Sequence, residues 1–534
     1  MAGSPPDIEA LDREGLKGLC LQLLEGIAAL RAENAALRQE IARLKGLKGP
    51  PSIKPSGMDK ATDAVAAGGK RRGRGGKLSR LTIDEERIVK AEVPDGSRFK
   101  GDEDYVVQDL ILRPHVVRYR RQRWLTSDGR PDGRPDGRMV VAPLPAGIAG
   151  HFGPELRRFV LAQYHRGQVT VARLVGLLRD IGVDISKRQV VRLLNGDKEA
   201  FLLEARGVLR AGLETARWVT VDDTGARHKA ANGVCTQVGN HRFAWFATTY
   251  SKSRLNFLSL LRAGHGDYVV NGAALAYMGG RNLSGPVIAL LAEQGSKRFA
   301  DEAAWTAHLE DLGITELKAL PDPVKIATEG ALWGSVAGHG YLRDAVIVSD
   351  DAGQFNVGRH ALCWVHAERL IHKLVGFNER HRQAIERIRA RVWRFYKALK
   401  AYCRDPTPRR KAALDKRFDR LFSTRTGFAT LDRLLMRLRA NKNELLLALE
   451  HPDIPLHTNG SENDIRCQVT KRKVSGGTRS DAGRDARDAF LGLMKTCDKL
   501  GVSFWDYLGC RLMVADAPAI MPLPEIVRHK TNPA

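Results

Sequence analysis

The sequence predicts a mixed α/β protein, on three observations. Two apolar segments, Trp218-Val-Thr-Val and Ala345-Val-Ile-Val-Ser, have the length and β-branched content of buried strands, and each runs into a pair of acids. Stretches before, between and after them repeat apolar residues at helical spacing. A five-heptad leucine pattern precedes everything else.

Bulk properties narrow the partners. The chain has 534 residues, enough for several domains, and 43% are hydrophobic. Lys and Arg number 86 against 61 Asp and Glu, a net charge of +25, and a polyanion is the simplest partner for that excess. No apolar run is long enough to span a bilayer, and the N-terminus lacks the features of a signal peptide, so a cytoplasmic protein without membrane contact is expected. The seven cysteines are scattered and never form a Cys-x-x-Cys pair, which argues for reduced, mostly buried thiols and against a disulfide framework.

Leu16, Leu23, Leu30, Leu37 and Leu44 recur every seventh residue, with Cys20, Ile27, Asn34 and Ile41 between them. With the leucines at d and the second set at a, residues 1–49 predict a parallel two-stranded zipper. Asn34 would fix its register, and Glu33 and Glu40 would face Arg38 and Lys45 of the other strand. A homodimer follows, with higher assembly left to a DNA complex. Residues 50–81 form a Pro/Gly/Ala-rich linker whose basic run includes Arg71, Arg72 and Arg74, suited to phosphate without reading sequence.

Residues 82–145 alternate apolar and polar, as in Tyr105–Leu112 and Val116–Trp124, and predict a small β module followed by the low-complexity loop at 128–138. Residues 146–213 predict helices. Within them Val169–Leu178, a turn at Gly182–Ile185, and Lys187–Leu194 capped by Ser186 have helix-turn-helix shape. Lys187, Arg188, Gln189 and Arg192 are expected on the exposed face of the second helix, available to DNA.

The chemistry concentrates in three places. Trp218–Val221 delivers Asp222 and Asp223, with further strands expected around 234–238 and 243–249. Ala345–Ser349 delivers Asp350 and Asp351, with a fifth strand at 361–365. Glu462 is expected in the first turn of a helix capped by Ser461 or Asn459, where the helix dipole favours a carboxylate. Two strand-end aspartates and a helix-borne glutamate can converge on two hard dications, Mg2+ or Mn2+, which take oxygen ligands and serve phosphoryl transfer. The helix after Glu462 carries Arg466, Lys471, Arg472 and Lys473, positive charge suited to a DNA backbone. His360-x-x-Cys363-x-x-His366 has no fourth ligand nearby, which argues against zinc. His366 is either a group beside the acids or a packed histidine.

These motifs resemble the DDE transposases of the insertion sequence 66 family. The resemblance rests on Asp222-Asp223-Thr224, on Ser349-Asp350-Asp351 with Cys363-Trp364-Val365-His366-Ala367-Glu368-Arg369, and on Ser461-Glu462-Asn463-Asp464-Ile465-Arg466. It continues through Lys471-Arg472-Lys473, Ser475-Gly476-Gly477, a closing helix from Ala489, and the zipper. It implies a ribonuclease-H-like catalytic core with a helical insertion, and a triad of Asp222, Asp350 and Glu462 that holds the ions. Asp223 and Asp351 are the alternative members of the doubled acids. It also implies cleavage and strand transfer of double-stranded DNA at element ends and target, with accessory proteins left open.

The chain departs from the family in lacking a Cys-rich module after the zipper and in a longer interval between Asp222 and Asp350, which points to an insertion at 262–343. The core's first part is thus expected at 214–375, an Arg-rich helical insertion at 376–455, the Glu462 part at 456–512 and a tail at 513–534. The alternatives are a transposase-derived DNA-binding protein without catalysis, and a nuclease on the same fold.

Overall fold

The computed structural model describes residues 83–92, 94–125, 139–145, 150–293 and 297–529. The zipper positions Leu16, Leu23, Leu30, Asn34, Leu37 and Leu44, the basic positions Arg71, Arg72 and Arg74, and the low-complexity loop lie outside the described residues. The described part is about half helical, with a mixed sheet, and is of α/β class. No helix in it is long and apolar enough to cross a membrane.

The alternating segments at 105–112 and 116–122 do not become strands. Only β1 (Arg123–Leu125) and β2 (Met139–Val141) pair, antiparallel, and every residue of both is exposed. Tyr105 and Val116 are each 90% exposed: period-two alternation needs a covered face to become a stable sheet, and nothing among the described residues covers these side chains.

The first helices follow the sequence closely. α1 is Pro154–His165, α2 Val171–Asp180, α3 Lys187–Asn195 and α4 Glu199–Thr215. Leu174, Leu178, Ile185, Val190 and Leu194 close the α2–α3 pair on a buried seam. Ser186 accepts the Gln189 backbone N–H, and the Gln189 side chain accepts the Ser186 N–H, a reciprocal cap that starts α3. Gln189 is therefore half-buried and engaged, not free on the exposed face, whereas Lys187, Arg188 and Arg192 are exposed.

The central sheet comprises β3 (Trp218–His228), β4 (Ala231–Gly239), β5 (Ala244–Thr249) and, after a long excursion, β8 (Val346–Ser349) and β9 (Arg359–Leu362). Its spatial order is β5-β4-β3-β8-β9: the first three strands are an antiparallel meander, and β8 and β9 join β3 in parallel. The excursion contains α5 (Arg254–Leu261), β6 (Tyr268–Val270), α6 (Gly272–Gly280), α7 (Gly285–Ala292), β7 (Lys297–Phe299), α8 (Glu302–Asp311) and α9 (Pro323–Gly338). β6 and β7 pair antiparallel. Trp305 is buried against Tyr268 and Phe299, so this excursion is a packed α/β unit rather than a loop.

After β9 come α10 (Trp364–His372), α11 (Glu379–Arg404), α12 (Pro408–Phe422), α13 (Ala429–Ala440) and the short α14 (Lys442–Leu445). The predicted stripes Ile385, Ile388, Val392, Phe395, Leu399, Tyr402 and Leu414, Phe418, Leu421 are buried, as helical spacing requires. Trp364 anchors the bundle to the sheet: its ring lies among Phe395, Phe418 and Phe422, and its Nε1–H donates to the Leu445 carbonyl at 2.8 Å.

α15 (Asn459–Ser475), α16 (Asp481–Leu500), α17 (Phe504–Arg511) and α18 (Leu523–His529) complete the chain. α16 covers the open edge of β5. The Asp488 carboxylate accepts the Thr248 N–H at 2.6 Å, and Thr496 Oγ1 accepts the Ala244 N–H at 3.1 Å. Two edge donors are thereby satisfied by side chains, which blunts a strand that would otherwise template pairing. Cys235, Cys363 and Cys497 are buried, and all six described cysteines are free thiols.

Candidate active site

Strand register places the two aspartates. β3 and β8 pair in parallel with Thr220 opposite Val348, and two residues further on stand Asp222 and Asp350. Strands lie about 4.8 Å apart, so the two carboxylates emerge side by side where the pairing ends. Asp222 is not at a strand end, as the sequence suggested: β3 continues to His228, still paired with β4. What ends at this point is only its pairing with β8.

Each doubled acid divides into one neutralised and one free member. Asp223 is bound by Lys252 Nζ at 2.8 Å and by the Gln354 amide at 2.8 Å. Asp351 is paired with Arg437 and accepts from Asn441 at 3.4 Å. Asp222, by contrast, accepts the Asp223 N–H and Asp350 the Ala352 N–H, and neither has an ion-pair partner among the described residues. Burial pushes the Asp222 carboxyl up to about 6, and Asp350 and Asp223 add to the rise; the Asp223 N–H and His366 oppose it.

Glu462 arrives from the other side. It lies in the first turn of α15, but the helix begins at Thr458 without a side-chain cap. Ser461 does something else: its buried hydroxyl donates to Thr220 Oγ1 at 2.6 Å, tying α15 to β3 two residues before Asp222. Thr220 in turn donates to the Gly239 carbonyl on β4 at 3.3 Å.

The fifth strand ends earlier than expected, and the Cys-Trp-x-His stretch is the start of α10. The Cys363 N–H donates to the Ser349 carbonyl at 2.8 Å, and the Trp364 N–H to the Leu456 carbonyl at 3.0 Å, so α10 is pinned between β8 and the approach to α15. One face of α10 then carries His366, Arg369 and Lys373 toward the acids. His366 Nε2 is 3.6 Å from Glu462 Oε1, and its Nδ1 is buried with no hydrogen-bond partner among the described residues. Arg369 Nη2 is 3.2 Å from the same carboxylate oxygen, and Arg466 lies 3.9 Å from the other. A cleft of about 270 Å³ opens here, lined by Asp350, Asp351, His366, Arg369, Lys373 and Arg437 among others. His360 bonds Ser349 Oγ at 2.7 Å and Glu444 at 3.1 Å, so it belongs to the β8–β9–α14 packing.

The basic residues of α15 separate into distinct roles. Lys471, expected to serve the DNA backbone, is buried: its ammonium lies 3.4 Å from the Tyr164 ring centre and donates to the Tyr164 carbonyl at 2.7 Å. Burial, with Arg487 nearby, lowers its pKa to about 7. Helical periodicity turns Lys471 onto the same face as Asp464 and Gln468, toward the protein. Arg472 donates to the Gly225 carbonyl on β3, Arg466 bonds Asn463 at 3.0 Å, and Lys473 is exposed.

Arg369 stands in the sequence motifs without a role, and Ser461 only as a candidate helix cap. Assigning 364–372 to a helix would have found Arg369, because residues 366, 369 and 373 share a face only at helical spacing.

The profile of the transposase IS66 family matches residues 339–486. The chain belongs to this family. The segment of this IS66 transposase family member that the profile matches holds Asp350, the whole of α10 and Glu462, while Asp222 lies upstream of it. The chain is also 53% identical over 323 residues to the uncharacterized protein y4jO of Sinorhizobium fredii, a similarity that covers 60% of this chain and 100% of that protein.

Proposed function

We propose that this IS66 family member is a transposase that cuts and joins DNA at Asp222, Asp350 and Glu462, on a ribonuclease-H-like core. One observation carries the reading: of four acids in two adjacent pairs, only Asp222 and Asp350, brought side by side by register, lack an ion-pair partner among the described residues. The five-stranded mixed sheet, with its long excursion and helical bundle between the second aspartate and the glutamate, supports that core assignment.

The residues fit a pair of Mg2+ or Mn2+ ions. The donors are all carboxylate oxygens, and Asp222 is held near 6 by burial, with the neighbouring Asp350 and Asp223 adding to the rise, a state that a bound cation would relieve. Bound there, such ions would supply activation of the attacking oxygen and stabilisation of the leaving oxygen. Asp222 and Asp350 would hold them, and Glu462 would complete the ligand set once released from Arg369 and Arg466. His366, with Nε2 beside Glu462, is placed to meet a phosphate or a leaving oxygen. Arg466 and Lys473 would hold backbone phosphates, as would Lys187, Arg188 and Arg192 on α3. A zipper dimer through 1–49 would present two such sites to two element ends.

The test is product analysis. Incubation with element-end DNA and Mg2+ should yield joined products, with the 3′ end of the element covalently linked to target. Nicked DNA without joined product would favour a nuclease. Bound but intact DNA at every divalent ion and with host extract added would favour a binding protein.

A further inference from the structure

The packed unit between β5 and β8 has a narrow neck, and the neck holds a cluster that DNA joining does not use. His265 and Asp267 lie between α5 and β6, at its start, and His339 directly follows α9, at its end. A ring nitrogen of each histidine and a carboxylate oxygen of Asp267 all lie within 4.8 Å of one another. Among the described residues this is the one such group of three; the Asp222, Asp350 and Glu462 carboxylates are not drawn that close.

The cluster has a supporting shell. His339 Nε2 is 3.0 Å and 3.2 Å from the two Asp267 oxygens. Ser335, itself fully buried, donates to Asp267 Oδ1 at 2.9 Å. Arg262 donates to the Asp267 carbonyl at 2.9 Å and fixes the backbone of the turn. The Tyr341 hydroxyl lies 3.1 Å from His265 Nε2, the outer contact that orients a ligating imidazole. The two imidazoles are stacked, with centres 3.6 Å apart and planes 13° from parallel.

We propose that His265, Asp267 and His339 bind one transition-metal dication of the zinc class, clamping the two ends of the 262–343 segment. Two imidazoles and one carboxylate are a donor set that suits Zn2+ and Co2+ better than Mg2+, and three protein ligands leave a fourth position for water. The ion takes the place of the hydrogen bond between His339 Nε2 and Asp267, and the imidazole proton moves to Nδ1. The stacked rings open as they turn their nitrogens toward one centre. Arg298, whose Nε lies 3.4 Å from Asp267 Oδ2, is the counter-ion in the metal-free state. Its side chain is 58% exposed, so it can leave for water at little cost. The ligands come together only where the two ends of the segment meet in the folded unit, so the free energy of binding the ion adds to the stability of that unit.

The experiment titrates Co2+, then Zn2+, into the full-length, tag-free protein in excess Mg2+. One Co2+ per chain should bind with the visible absorption of a tetrahedral nitrogen/oxygen site, and Zn2+ should abolish that band and raise the melting temperature. His265→Ala should lose the band, and Asp222→Asn should keep it. Arg298→Ala should bind Co2+ several-fold more tightly, because a competing cation is gone. An ion-paired network that never holds metal predicts no band in wild type or in Arg298→Ala. That result, or a band untouched by His265→Ala, overturns the proposal.

Discussion

Asp222 on β3 and Asp350 just past the end of β8 each stand two residues beyond the last paired positions of these parallel strands, Thr220 and Val348. Both lack the cations that neutralise their sequence neighbours, and the strain of that arrangement is electrostatic. The folded Asp222 carboxyl holds its proton more tightly than an unfolded one, with a pKa of about 6 against 3.8, so its ionisation costs stability as pH rises from about 4 to 6. Asp222→Asn should therefore stabilise the protein by about 2–3 kcal/mol at pH 8 and by almost nothing at pH 4. Thermal or urea denaturation at the two pH values checks this; an equal effect at both contradicts it.

Arg369 competes with metal for Glu462. In the DNA-free protein it is 3.2 Å from Oε1, and its removal should expose the carboxylate. Arg369→Gln should raise Mn2+ affinity without DNA by roughly tenfold, about 1.4 kcal/mol, while weakening DNA binding. Calorimetric titration of Mn2+ separates the two effects. Unchanged or weaker Mn2+ binding would mean that the arginine is not a competitor.

Much of this was legible in the sequence because its signals are local. Apolar runs ending at acids marked the first half of β3 and the whole of β8, and i, i+3, i+4 stripes marked α11 to α13. What was not legible depends on tertiary partners. Asp222 and Asp223 are equivalent as letters, and only Lys252 and Gln354 tell them apart. Ser461 has the composition of a cap but spends its hydroxyl on Thr220, which is distant in sequence. Lys471 looks like its neighbours Arg472 and Lys473 until helix phase and Tyr164 place it inside. The alternation at 105–122 is a true strand pattern that lacks a covering face among the described residues.

Ser461 positions the glutamate. Ser461→Ala leaves Thr220 without its donor in a buried site and should cost about 1–2 kcal/mol. It should also slow joining while leaving DNA affinity unchanged. Equal activity at matched stability would show that the Ser461–Thr220 bond is only structural.

The basic residues of α15 should differ in their salt dependence. Lys473→Ala should lower the slope of log affinity against log salt by about 1, as expected for one lost phosphate contact. Lys471→Met, buried over Tyr164, should leave the slope unaltered. Equal slopes for the two variants would put Lys471 on the DNA.

The most direct test compares the members of each acid pair. Joining of element-end DNA is measured in Mg2+ and Mn2+ for Asp222→Asn, Asp223→Asn, Asp350→Asn, Asp351→Asn and Glu462→Gln. The account predicts loss of joining by several orders of magnitude at 222, 350 and 462, with DNA binding retained, and modest losses at 223 and 351. Loss at Asp223 or Asp351 with activity preserved at Asp222 or Asp350 would contradict it.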